Sequence, residues 1–291
     1  SINESFRSRF TDSSDALKVL QKLEERKIGI PNSLYEQAIT LLIDEGSIDV
    51  AKQKILERCA SGEPVKINVV AALASKILLL HSLDEFKMLV EQLSASYEWG
   101  EYFFISVMRR FELHKPVEPL VSLFEFMAEI GTLATEKAYL ALFQQIIMRS
   151  SRKDVEGFYA MTKQNDMVFS NEQLLSAMSL MKRNGLEPFI EIVDDALCQC
   201  IAASSLMDAY HIAMSYRPSE TVCQQLFDAL VEGKLLGQAD QLRQIHSNIN
   251  SHLLDKAYQN ENLSKQQIRN IVGRINPLRK MVTESPIKKK E

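Results

Sequence analysis

The sequence contains little of what loop-rich, disordered or disulfide-stabilised proteins need. Ten glycines and eight prolines among 291 residues are too few for a chain without packed structure. Hydrophobic residues make up 46% and charged residues 25%, which is typical of a packed globular protein. The four cysteines show neither a disulfide framework nor a zinc-binding spacing, so we expect reduced and mostly buried thiols. They are Cys59, Cys198, Cys200 and Cys223.

Long hydrophobic runs are also missing. The longest, residues 69–80, is interrupted by Lys76 and is shorter than the roughly 20 residues that cross a bilayer. We therefore expect no membrane span. The chain begins without Met, and its first predicted helix has an apolar face of Leu17, Leu20 and Leu23 that needs a neighbouring repeat. We expect the natural protein to continue with further repeats on the N-terminal side.

Motifs of catalysis and of metal binding are absent from the sequence. There is no GxxxxGK(S/T) or GxGxxG phosphate loop, no HExxH pair and no nucleophile elbow. The histidines are scattered, and His246 and His252, six residues apart, would lie on different sides of a helix. We predict that the chain is not an enzyme and that it binds no cofactor or metal.

What the sequence does contain is a loose internal repeat. SIDVAK, from Ser47, is followed thirty-five residues later by SLDEFK, from Ser82. Further along, VEPLVSLFEFM, from Val117, resembles LEPFIEIVDDA, from Leu186. Self-similarity at this interval indicates a solenoid of stacked units.

Each unit has the pattern of two helices joined by a turn. Apolar residues from Tyr35 to Ile43 recur at the three-and-four spacing of an amphipathic helix, and a second apolar face begins at Ile48. No segment alternates in the manner of a strand. We predict an all-α protein, an α-α superhelical solenoid of about seven to eight stacked helix-turn-helix repeats over residues 1–263, followed by a helix and a basic tail over residues 264–291.

Residues 32–66 resemble the pentatricopeptide repeat. The resemblance lies in Tyr35 of the first helix, Gly46 before the second, Ala51 within it and Gly62 near its end. It extends loosely over residues 13–250 and is nearest to the animal mitochondrial type, that of the leucine-rich pentatricopeptide-motif proteins. The resemblance implies single-stranded RNA as ligand, a mitochondrial location and a protein partner; a cytoplasmic or nuclear location is the alternative.

Such repeats can read one base each with side chains of the first helix. Carried onto this chain, the reader positions are Glu36, Ala71, Ile105, Leu140, Leu175 and Cys223. An alignment shifted by one residue gives Gln37, Ala72, Ser106, Ala141, Ser176 and Gln224. The first set holds one polar side chain in six and the second four in six, so we expect no modular reading of bases.

Charge is distributed unevenly along the chain. Residues 264–291 hold eight basic and two acidic side chains, a net of +6, whereas residues 1–263 hold 26 basic and 36 acidic ones, a net of −10. Basic residues that recur near the ends of first helices, together with those of the C-terminal segment, are the candidate RNA contacts. They are Arg109, Arg110, Lys115, Arg149, Arg152, Lys153, Lys182, Arg183, Lys265, Arg269, Arg274, Arg279 and Lys280. The alternative is that the cations at helix ends only complement the helix dipole.

Two functions follow from these features. One is a non-catalytic helical-repeat protein that binds or stabilises mitochondrial RNA together with a protein partner. The other is a protein–protein interaction scaffold without RNA binding. The charge of the surface that the first helices form discriminates between them, because RNA needs a basic surface and a scaffold an apolar or acidic one.

Overall fold

A computed structural model of the chain describes residues 12–26, 29–246, 248–250 and 252–259, and all regular structure in these ranges is helical, without a strand. Fourteen helices have defined bounds in this part of the chain. They are α1 Ser13–Glu25, α2 Asn32–Asp44, α3 Ile48–Ala60, α4 Ile67–Leu80, α5 Leu83–Leu93, α6 Glu101–Arg110, α7 Glu118–Glu129, α8 Glu136–Arg149, α9 Arg152–Gln164, α10 Asn171–Arg183, α11 Ile190–Ala202, α12 Leu206–Ser215, α13 Glu220–Glu232 and α14 Leu236–Ile245. A further helical segment covers residues 252–259.

The chain divides into two compact units. Unit 1 comprises Ser1–Phe169 and Ser179–Leu186, and unit 2 comprises Ser170–Met178 and Glu187–Glu291, in each case as far as the residues are described. The boundary predicted between residues 263 and 264 lies outside the described residues.

Unit 1 is a stack of helix pairs. Helices α2 and α3, α4 and α5, α6 and α7, and α8 and α9 form the pairs, and each first helix packs on the first helix of the next pair. The second helices α3, α5 and α7 contact one another less extensively, so their layer is the more open one. Unit 2 repeats the pattern with α11 and α12 followed by α13 and α14. The predicted class, an all-α protein of stacked helix-turn-helix repeats, is confirmed within each unit.

The repeat period is visible in the core. One inward position of the second helices recurs at intervals of 34 or 35 residues, and each of its residues is fully buried. They are Ala16, Ala51, Phe86, Leu120 and Val155. Since a lone helix pair cannot enclose such a row of apolar side chains, the core is built by stacking.

The two glycines of the pentatricopeptide-like unit end its helices. Gly46 and Gly62 have φ angles of +82° and +79°, in the left-handed region that favours glycine. At Gly46 the backbone N–H bonds to the carbonyl of Ile43, and the N–H of Ser47 bonds to the carbonyl of Leu42 at 2.8 Å. This is the Schellman pattern, which satisfies the last carbonyls of a helix.

The sequence alignment of VEPLVSLFEFM with LEPFIEIVDDA is wrong, because it matches a second helix with a first helix. VEPLVSLFEFM opens α7, which is the second helix of its pair, whereas LEPFIEIVDDA opens α11, which is the first helix of its pair. Pro119 lies in the first turn of α7 and Pro188 lies just before α11. A proline followed by an apolar stripe marks a helix start, but it does not distinguish the two helices of a pair.

Candidate nucleic-acid interface

The two helix layers of unit 1 differ in charge. From α4 to α8, the first helices carry five basic residues against Glu101 and Glu136, a net of +3. The basic residues are Lys76, Arg109, Arg110, Lys137 and Arg149. The second helices α5 and α7 carry Lys87 against six acids, a net of −5. The acids are Asp84, Glu85, Glu91, Glu118, Glu125 and Glu129. Helix α2 adds two further acids to the first-helix layer, one of them buried, whereas the second helices α3 and α9 each carry a net charge of +1. Over α2 to α9 the first helices therefore carry a net charge of +1 and the second helices −3.

Three cations of the first-helix layer are exposed and have no partner within the described residues: Arg109, Arg110 and Lys137. Lys76 differs, because its ammonium lies 2.7 Å from a carboxylate oxygen of Glu112. Lys137 was not among the sequence-predicted contacts. It lies in the first turn of a helix, whereas the sequence criterion selected basic residues near helix ends and in the C-terminal segment.

An exposed aromatic side chain accompanies these cations. Tyr102 is 59% exposed and is the second residue of α6. Arg109 lies seven residues further on, nearly two helical turns, so both side chains are on one stripe of the helix. Lys137 is likewise the second residue of α8. A cation and an exposed ring on one face are the groups that bind the phosphates and bases of a single strand.

One acid of this layer, Glu101, is used within the protein. Glu101 accepts hydrogen bonds from the backbone N–H groups of Thr135 and Ala138 at 2.7 and 3.2 Å, and from the Thr135 hydroxyl at 2.6 Å. These groups belong to the start of α8, the next first helix. The carboxylate thereby caps a neighbouring helix and compensates its positive end.

The sequence-predicted reader positions lie mostly inside the protein. Ala71, Ile105 and Cys223 are buried, and Leu140 and Leu175 are half-buried. Glu36, the one polar member, is 8% exposed. In the shifted set Ser106 and Ala141 are buried, Gln37, Ala72 and Gln224 are half-buried, and Ser176 is exposed.

Two polar members of these sets, Glu36 and Gln224, and the corresponding residue of α11, Asp194, connect consecutive repeats. One carboxylate oxygen of Glu36 accepts the backbone N–H of Lys66 at 3.0 Å, and the other lies 3.0 Å from the Lys66 ammonium. In unit 2, Asp194 accepts the N–H of Ser219 at 2.9 Å and Gln224 that of Asn250 at 2.8 Å.

Each of these three acceptors is the fifth residue of a first helix. Each donor lies just before the helix that begins the following repeat. Where the fifth residue is an acid or an amide, as in α2, α11 and α13, it therefore positions the following repeat. A side chain held in this way is not available to the edge of a base. The signal that could have revealed this is an acid or amide at the fifth residue, followed about thirty residues later by a helix start.

Several predicted basic contacts lie near the connection between a first and a second helix. Arg109 and Arg110 end α6, Lys115 follows in the connection to α7, and Arg152 and Lys153 begin α9; all five are exposed. Arg152 forms an ion pair with Glu156 at 2.6 Å.

The other predicted contacts are separate from this group. Lys182 and Arg183 are exposed in the last turn of α10. The C-terminal candidates lie outside the described residues: Lys265, Arg269, Arg274, Arg279 and Lys280.

Arg149 has a structural role. Its guanidinium donates to the carbonyls of Phe111 and Glu112 at 2.9 and 3.0 Å and to the carbonyl of Gln145 at 3.1 Å, and it also bonds to the Gln145 side chain. It lies 5.8 Å from the centre of the Phe111 ring. Burial lowers the pKa of this guanidinium from its ordinary value. Because its donors hold the preceding repeat, we leave Arg149 out of the RNA-binding surface.

The described residues contain no group of three His, Cys, Asp or Glu side chains that could hold a metal ion. Burial raises the pKa of the Cys223 thiol to about 11 and also raises that of Cys200, so neither is an activated nucleophile. Within the same residues no helix combines the length and the apolar character needed to cross a bilayer.

No protein-family model matches the chain, and neither does any curated protein. Among solved structures it is similar to the pentatricopeptide repeat protein PPR10 in complex with an 18-nucleotide psaJ RNA element, with 13% identity, 89% of this chain covered and a TM-score of 0.42. It is also similar to PPR10 from maize, with 13% identity, 95% of this chain covered and a TM-score of 0.24. The chain spans 40% and 52% of the length of these proteins. A likeness this distant assigns neither a family nor a function.

Proposed function

We propose that the chain is a non-catalytic helical-repeat module that binds single-stranded RNA through the first-helix face of unit 1. By first-helix face we mean the exposed side of α4, α6 and α8, with Tyr102, Arg109, Arg110 and Lys137 as its main groups. The charge difference between the first helices α4, α6 and α8 and the second helices α5 and α7 carries this proposal, because RNA affinity comes mainly from neutralising phosphates. The pentatricopeptide resemblance of residues 32–66 supports it.

The mode of binding follows from the groups on this face. Arg109, Arg110 and Lys137 would each contact a phosphate, and the Tyr102 ring would stack on a base. Stacking tolerates any base, since every base has a flat face. With Glu36, Asp194 and Gln224 engaged between repeats, we propose that the module binds RNA with little preference for sequence.

We further propose that the module holds or protects transcripts in the mitochondrion together with a protein partner. The organelle is taken from the pentatricopeptide resemblance alone. The acidic layer formed by α5 and α7 favours the partner, because a surface of net −5 repels RNA and suits a cationic protein segment.

The test is a titration of fluorescently labelled, mixed-sequence single-stranded RNA at several salt concentrations. We expect binding whose affinity falls as salt rises, since each phosphate contact on a single strand contributes about −0.7 to the slope of log affinity against log salt. Deleting residues 276–291 removes five positive and two negative charges, so the slope should shrink while binding to the repeats persists.

Two outcomes would change the proposal. If the deletion abolishes binding, RNA recognition belongs to the C-terminal segment and not to the first-helix face. If neither form binds RNA below millimolar concentrations, the scaffold alternative is the better account.

A further inference from the structure

A pocket opens in the layer of second helices, between α5 and α7. Its volume of about 520 Å³ is within the range of roughly 300–1,000 Å³ found for binding sites. It is lined by apolar and aromatic side chains with polar groups among them. The lining residues are Lys87, Val90, Glu91, Trp99, Phe126 and Ile130, together with two hydroxyl side chains. The more open packing of the second helices accounts for the space.

The aromatic wall is held in place by hydrogen bonds. The indole N–H of Trp99 donates to the Ser94 hydroxyl at 3.1 Å, and the Thr132 hydroxyl donates to the carbonyl of Trp99 at 2.6 Å. On its other side the Trp99 ring packs against Phe103, with ring centres 4.6 Å apart. A wall fixed in this way forms the pocket before any ligand arrives, which lowers the entropy lost on binding.

A charged group of the lining is also held in place. The Lys87 ammonium lies 4.8 Å from the centre of the Phe126 ring and 2.8 Å from a carboxylate oxygen of Glu129. It thereby ties α5 to α7 beside the pocket. Its charge is compensated by Glu129, so Lys87 does not make the site basic.

The remaining charges near the pocket are negative. Glu91 lies one turn beyond Lys87 and lines the pocket, and Glu125 lies one turn before Glu129. Both are exposed and have no partner in the described part of the chain. Met88 and Val121 add exposed apolar surface on α5 and α7. A partly apolar pocket with aromatic side chains, beside uncompensated carboxylates, is complementary to a ligand that is apolar and cationic at once.

We propose that the α5–α7 pocket binds a basic peptide segment of a protein partner. A bulky apolar side chain of that segment fills the space between Trp99 and Phe126, and neighbouring Lys or Arg side chains face Glu91 and Glu125. Peptide recognition of this kind depends on one or two anchoring side chains in a desolvated pocket. RNA does not suit the site, because its phosphates would meet the net charge of −5 on α5 and α7.

This inference rests on the partner part of the proposed function and not on its RNA part. It adds where the partner binds and which chemistry is recognised. The two layers of unit 1 would then have separate tasks, with RNA on the first helices and protein on the second.

The test begins with selection of random 12-residue peptides, displayed on phage, against the full chain. The selected peptides are then synthesised with a fluorescent label and titrated. We expect them to carry net positive charge and at least one bulky apolar residue. Replacing that residue by alanine should lower the affinity about tenfold or more, because alanine leaves the pocket unfilled.

Charge reversal locates the site. Glu91→Lys with Glu125→Lys should lower peptide affinity more than about tenfold, since like charges across an interface cost several kcal/mol. The matched control, Asp49→Lys with Glu57→Lys, changes the net charge of the protein by the same amount but at exposed positions of α3. It should leave the peptide affinity nearly unchanged. Circular dichroism should show that both variants keep the parent's helical content.

Several results would overturn the inference. They are a failure to enrich any peptide, the enrichment of acidic peptides, equal binding of the alanine-substituted peptide, and equal losses in both reversal variants. Displacement of the peptide by a 12-nucleotide single-stranded RNA would assign the pocket to RNA instead. If the peptide tests fail while RNA binding is intact, the RNA proposal stands and the pocket proposal is wrong. If the peptide binds and RNA does not, the pocket proposal stands and the RNA proposal is wrong.

Discussion

Replacing Arg149 by alanine should destabilise unit 1 and should not act mainly on RNA binding. Arg149 ends α8, and its guanidinium donates to two carbonyls at the end of the preceding first helix, those of Phe111 and Glu112. In the variant these carbonyls lose a charged donor that no other described side chain replaces. The consequence is a weaker junction between two consecutive repeats.

The size of the effect follows from the hydrogen bonds that are lost. A hydrogen bond to a charged group contributes roughly 1.5–3 kcal/mol, and Arg149 makes two such bonds between repeats. Part of this is offset, because the variant no longer desolvates a guanidinium and water reaches the exposed Glu112 region. We expect a loss of about 2–4 kcal/mol in the free energy of unfolding. Arg149→Lys should lose nearly as much, since lysine has no planar fork of donors.

Urea unfolding followed by circular dichroism measures the loss. Arg110→Ala, an exposed cation at the end of α6, is the matched control and should change the free energy of unfolding by no more than about 0.5 kcal/mol. Parent-like unfolding of Arg149→Ala would refute the structural role. A stable Arg149→Ala protein that loses as much RNA affinity as Arg110→Ala would return Arg149 to the RNA-binding surface.

Two further predictions concern the core and the thiols. Ala51 is fully buried between helices, so Ala51→Glu should lower the free energy of unfolding by several kcal/mol in a thermal melt, whereas Ala60→Glu at an exposed position of the same helix should melt like the parent. Iodoacetamide at pH 8 should modify the exposed Cys198 before the buried Cys223, because the pKa of Cys223, about 11, keeps that thiol protonated. Mass spectrometry of the digested protein would show the order of modification. Equal rates of modification in the folded protein would contradict the burial of Cys223.

The helix pairs could be predicted from the sequence because their signal is local. Apolar residues at helical spacing mark each amphipathic face, and Gly46 and Gly62 mark two helix ends through a conformation that favours glycine. In the structure, Ala51 and its counterparts at this period form one buried row.

Other features depend on contacts between distant residues, which a local pattern does not contain. Which helix is the first of its pair beyond α10 depends on which helices pack together. The similarity of LEPFIEIVDDA to VEPLVSLFEFM therefore led to a wrong alignment of these two helices. Arg149 and Arg110 look alike as basic helix ends, yet only Arg149 reaches the carbonyls of a segment thirty-seven residues away. The role of Glu36 could not be predicted for the same reason, because its partner Lys66 lies thirty residues further along the chain.

If the first-helix face of unit 1 binds the phosphates of single-stranded RNA, its cations set the salt dependence of binding. The most direct measurement is the salt dependence of RNA affinity for the full chain and for a variant with Arg109, Arg110 and Lys137 replaced by alanine. We expect weaker binding of the variant and a slope of log affinity against log salt that is smaller by about 2, since three phosphate contacts are lost. An unchanged slope in the correctly folded variant would contradict the account and place RNA elsewhere on the chain.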